Sequence, residues 1–146
     1  MDHEHLAIAS VPIQKWESIL SAKDALKTGT IFQALDKPFF ASEKISAPEQ
    51  TDSGSANERE NLMLKIQETS FMLDDARLFM DTHPDDRNGL DFLKSAVLLR
   101  KNLLKEFALK FYPLTIDCMA DIYAQNPDSL CYCWQKGPVP WEGACV

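Results

Sequence analysis

The residues best suited to chemistry lie in one short run, Asp81-Thr82-His83-Pro84-Asp85-Asp86. A histidine among carboxylates can hold a metal or move a proton. The same residue types also form turns and cap helices, and that simpler use is favoured here. Cys131-x-Cys133 is the second candidate. Structural zinc sites use longer spacings in paired clusters, so two thiols this close are a weak metal signal. Cys118 and Cys145 complete a set of four cysteines confined to the C-terminal part of the chain. Free or later cross-linked thiols are the expectation, because such a grouping does not frame a fold. His3 in the third position could wrap Cu(II) or Ni(II), a pattern common by chance, and His5 lies in the same terminus. There is no phosphate-cradling glycine loop, no Gly-x-Ser-x-Gly elbow and no Glu-x-x-His pair for a dimetal bundle. No catalytic, cofactor or metal residue is assigned.

The elements that would position these residues follow from apolar spacing. From Leu62 to Met80 the pattern is helical. Leu62, Ile66, Leu73, Ala76 and Met80 share one face, while Leu64, Phe71 and Leu78 recur every seventh residue nearly opposite. A helix apolar on two sides is buried or forms an interface. The 81–86 run breaks it, with Thr82 or His83 as the cap of a second helix and Pro84 at its first position. That helix runs from about Asp85 to Phe111 or Tyr112, with Leu90, Leu93, Val97, Leu104, Phe107, Ala108 and Phe111 as its stripe. Gly89 costs about 1 kcal/mol against alanine there. The short break makes an antiparallel αα-hairpin. Arg100 falls within the stripe, either beside Gln67, Glu68 or Ser70 or snorkelling at the edge. Thr115 caps a short third helix from Ile116 to about Ala124, and Asn126-Pro127-Asp128-Ser129 is a turn. Leu130 to Trp134 alternates in an extended pattern, and Lys136 to Gly143 is extended or polyproline-like.

Residues 46–60 carry no large apolar side chain and have linker composition. The chain thus divides into residues 1–45, a linker at 46–60 and a domain at 61–146. The linker spans roughly 20–25 Å as a coil. The first part is mostly irregular and too small for its own core. It holds one short helix after Ser21, closed by Gly29, with extended pieces on either side. Its apolar residues, Trp16, Ile31, Phe32 and Phe39 among them, either cover the neighbouring domain or dock on another protein. The whole is mainly α.

A net charge of −7 and a pI near 4.9 argue against nucleic-acid and anionic-membrane partners. No apolar run is long enough to span a bilayer, and the acidic start is unlike a signal peptide. The chain is therefore expected to stay in the compartment that makes it.

Two sets of residues carry a family resemblance. Phe71, Asp74, Leu78, the 81–86 run, Tyr112-Pro113-Leu114-Thr115, Trp134 and Pro138-Val139-Pro140-Trp141-Glu142 resemble the JB family of spore coat proteins (CotJB). The chain departs from that family's usual pattern in lacking glycine between Tyr112 and Pro113, and in Tyr132 and Val139. Val11-Pro12-Ile13-Gln14-Lys15-Trp16, Ala25-Leu26, Gly29-Thr30-Ile31-Phe32, Leu35 and Pro38-Phe39 resemble the companion JA family (CotJA). The resemblance implies a natural fusion of two coat modules with no enzymatic activity of its own. It implies residence in the mother-cell cytoplasm, then the spore coat. It also implies association with other coat proteins, notably a manganese-catalase-like one that would carry the metal. Phe71, Asp74, Leu78, His83, Trp134, Trp141, Trp16 and Phe32 are the partner-binding candidates. A transient regulator or assembly chaperone for a metalloenzyme is the alternative.

Overall fold

The structure, a computed structural model, describes residues 13–37 and 57–138. Four α-helices are formed among them: α1 (Ala22–Thr28), α2 (Glu58–Thr82), α3 (Arg87–Lys110) and α4 (Asp117–Gln125). The fold is mainly α, and α2 and α3 form the antiparallel hairpin that the apolar spacing predicts.

Local sequence decides α1. The Asp24 N–H donates to Ser21 Oγ (3.2 Å), and Gly29 adopts φ 82°, a left-handed conformation that glycine reaches without a Cβ clash. Around α1 the chain is extended enough for one antiparallel bridge, Ile19 with Phe32. A 3₁₀ turn, Gln33–Leu35, follows.

The α2–α3 connection departs from the expectation. Neither Thr82 nor His83 caps α3, and Pro84 lies in the turn rather than the helix. The cap is Asp86, whose Oδ1 accepts the Gly89 N–H at 2.8 Å. His83 instead ends α2, its N–H donating to the Phe79 carbonyl at 3.0 Å. Several turn-formers compete in this run, and the tight reversal at Pro84 leaves only Asp86 in the capping geometry.

Two apolar cores flank the hairpin. One joins Leu62 and Ile66 of α2, Leu104, Phe107 and Ala108 of α3, and Cys118 of α4. The other joins Ala25, Ile31 and Phe32 of the N-terminal segment to Ala76 and Phe79 of α2. The N-terminal apolar residues therefore cover the hairpin, which is one of the two readings the sequence left open. The expected stripe of α3 is also rotated. Gly89 and Ala96 are buried while Leu90 and Val97 stay exposed, because small residues let the helices approach closely. Arg100 meets Ser70, with Nε donating to Oγ at 2.8 Å.

The short helix α4 starts one residue later than expected, and Thr115 is not its cap. Instead the Thr115 hydroxyl lies 3.1 Å from Cys118 Sγ. The Asn126–Ser129 turn closes through Ser129 N–H to the Asn126 carbonyl (3.1 Å). Leu130 to Trp134 is not a continuous extended run, since Cys133–Lys136 coil into a 3₁₀ turn that buries Cys133. The expected form of Val139 to Gly143, residues 46–56 of the expected linker, and Trp141, Phe39, His3, His5 and Cys145 lie outside the described residues.

Candidate functional site

The densest arrangement of recognition-type side chains is the seat of Trp16. Its ring meets Phe32 at 5.3 Å, Phe79 at 5.2 Å and Phe92 at 5.5 Å, the first two edge-to-face. Phe32 also lies 5.3 Å from Phe79. Pairs in these geometries add about 0.5–1.5 kcal/mol each beyond the area they bury.

Polar contacts fix the register of the seat. Asp75 Oδ2 accepts the Ile31 N–H at 2.8 Å and the Thr30 hydroxyl at 3.1 Å. Thr30 Oγ1 in turn accepts the Phe32 N–H at 3.1 Å. One α2 carboxylate thereby satisfies the backbone of a segment far away in sequence. Gly89 provides the space. A Cβ there would stand 3.2 Å from Trp16 Cε3, 3.2 Å from Phe79 Cε1 and 2.7 Å from Met80 Sδ.

His83 borders the seat. Its ring stacks on Phe79 at 4.2 Å and 5°, with Nδ1 2.9 Å from Thr82 Oγ1 and 3.2 Å from the Phe79 carbonyl. Nε2 is buried with no hydrogen-bond partner among the described residues. Asp86 is occupied as the α3 cap. Among the described residues no group of three or more His, Cys, Asp or Glu is placed to hold a metal.

The sequence-predicted residues therefore fall into three places. Trp16, Phe32 and His83 gather around Phe79, while Phe71 is half-buried against the N-terminal core. Asp74 and Leu78 stand exposed on α2, where Asp74 makes a loose ion pair with Arg77 at 3.8 Å. Trp134 lies at the opposite end of the hairpin. It lines a groove of about 590 Å³ with Met63, Leu64, Tyr112, Leu114 and Pro138. Arg59 Nη2 donates to Tyr112 Oη there at 2.9 Å. A Cβ at Gly137 would come within 3.2 Å of the Tyr112 ring. Sequence reasoning missed Asp75, Phe79, Phe92 and the spatial role of Gly89. Only the heavy aromatic content of the first 45 residues hinted that such a seat was needed.

The Lys110 ammonium bonds Glu58 at 2.6 Å and Glu106 at 2.8 Å, joining the start of α2 to the end of α3. These bonds hold the Glu106 carboxyl below its usual range and raise Lys110. Both side chains lie at the surface, so salt screens the pair. A hydrogen bond to Cys133 pushes the Tyr123 phenol up. Tyr123 also donates to the Cys131 carbonyl at 3.1 Å, tying the C-terminal turn to α4.

The family described as CotJB protein matches residues 60–142, which include the hairpin except Glu58 and Arg59 at the start of α2, and the Trp134 groove except Arg59. The chain belongs to the CotJB family. Residues 5–39 match a second family, described as Spore coat associated protein JA (CotJA). The Trp16 seat is thus where a JA segment meets a CotJB hairpin within one chain. Both families associate the chain with the spore coat. No curated protein and no solved structure matches this CotJB chain. No helix among its described residues is long and apolar enough to cross a membrane.

Proposed function

We propose that the chain is a non-enzymatic structural or assembly component of the spore coat that docks on a manganese-catalase-like coat protein. The observation that carries this reading is the Trp16 seat: two coat modules share one aromatic core, which makes a rigid scaffold with surfaces in fixed relation. Phe71 is half-buried in that core and unsuited to receive a partner. The Trp134–Tyr112 groove is better suited, being open, largely apolar and rimmed by Arg59 and Glu60. The protein is made in the mother-cell cytoplasm and then incorporated into the coat.

The test is co-purification of the full chain with the catalase-like protein of the same spores, followed by size-exclusion chromatography. Co-elution at fixed stoichiometry is expected, weakened at least tenfold by Trp134→Ala, a loss of about 1.4 kcal/mol or more. Undiminished binding by that variant sinks the groove assignment. No association in reducing or oxidising buffer, with the protein absent from purified spores, leaves a transient assembly factor as the reading.

A further inference from the structure

The outer sides of α2 and α3 carry opposite charge around exposed apolar residues. On α3, Leu98 is 62% exposed beside Leu90 and Val97, and Arg87, Lys94 and Lys101 recur every seventh residue among them. Lys94 makes only a loose pair with Asp91 at 3.7 Å, and Arg87 and Lys101 have no ion-pair partner among the described residues. A basic, leucine-bearing face is unexpected on a chain of net charge −7. On α2, Leu78 is 60% exposed, with Asp74 and Asp81 seven residues apart beside it, while Phe71 one repeat earlier is half-buried against the N-terminal segment. Seven residues of helix rise about 10 Å, so the carboxylates and the cations have matching spacing. Apolar seven-residue repeats flanked by charges are what helices use to pair in parallel or antiparallel register.

The two faces point away from each other. Leu78 lies about 120–160° around α2 from Leu62, Ile66 and Ala76, and Leu98 lies about 120–180° around α3 from Ala96, Leu104 and Phe107. One molecule therefore cannot close the contact on itself. We infer that a second copy of this chain docks there, the α3 face of one molecule on the α2 face of the next. Charge complementarity selects this occupant. Two α3 faces repel, two α2 faces repel, and only the unlike pair attracts. A contact between different patches on opposite sides does not close as a dimer does. It propagates head to tail.

Sedimentation-velocity ultracentrifugation of the full chain over a concentration series tests this, with helicity checked by circular dichroism. The wild type is expected to form a series growing beyond dimer. Leu98→Glu with Lys101→Glu cripples one face, and Asp74→Asn with Leu78→Gln cripples the other without making it basic; all four positions are exposed. Each variant alone is expected to be monomeric. Mixed together they form a one-to-one dimer and nothing larger, since each retains one good face. Should either double variant lose helicity, Lys94→Glu with Lys101→Glu or Asp74→Asn with Asp81→Asn replaces it. Trp134→Ala leaves the series intact. A wild type monomeric at every concentration, or a mixture that stays monomeric, overturns the inference. So does a monomeric wild type whose binding to the catalase-like protein is lost on Leu98→Glu with Lys101→Glu, because that result gives the face to the other partner.

Discussion

Gly89 shows how a residue's meaning changes with its neighbours. By helix propensity alone, alanine there adds about 1 kcal/mol of stability. The seat reverses the sign, because the new methyl group presses on Trp16 and Phe79 at 3.2 Å, and overpacking costs about 1–3 kcal/mol. Met80 can swing aside; rings wedged into an aromatic cluster cannot. Gly89→Ala is therefore expected to destabilise by about 1 kcal/mol in chemical denaturation. In a Trp16→Ala background the same change is expected to cost less or become favourable. An equal cost in both backgrounds refutes the packing account. Gly89 was visible in the sequence only as a helix weakness, since its reason lies 73 positions away at Trp16. Asp75 was hidden in the same way. Nothing local distinguishes it from Asp74, yet one holds Ile31 and Thr30 while the other faces solvent.

Among the elements, legibility followed locality. Ser21 and Gly29 bracket α1 as their residue types predict, and the hairpin is plain in the apolar spacing. The α3 cap was misread because Asp86 competes with Thr82 and His83 within one turn. The Phe71 face reads from sequence as either core or interface; the N-terminal segment half covers Phe71, and Phe79 is the residue fully buried. That segment and α2 depend on each other. If the chain is cut within residues 46–56 after folding, the two fragments are expected to co-elute. Asp75→Ala leaves the buried Ile31 N–H unsatisfied, at about 1.5–3 kcal/mol, so it should raise the fragment dissociation constant about 10- to 100-fold. Fragments that separate at once without the substitution show that the seat contributes little.

At the scale of the whole molecule, the two cores share both long helices. Neither core can open without exposing the flank of the other, so one cooperative transition is expected. With Trp134 and Trp141 replaced by phenylalanine, Trp16 fluorescence reports the N-terminal core and far-ultraviolet dichroism reports the helices. The two melting curves should coincide. A Trp16 signal lost well below the helical transition divides the molecule into independent units. The acidic net charge concealed the basic side of α3, because a sum erases the arrangement of its parts.

The Trp16 seat has a last consequence that concerns concentration. A binding element joined to its site by fewer than twenty residues experiences an effective concentration on the order of millimolar. Even an intrinsic affinity of about 10 µM then keeps the site filled about 99% of the time. A free JA-type protein from another source would have to approach millimolar levels to displace the built-in one. Fusion thus fixes the ratio of the two modules at one to one and makes it insensitive to how much of either is synthesised.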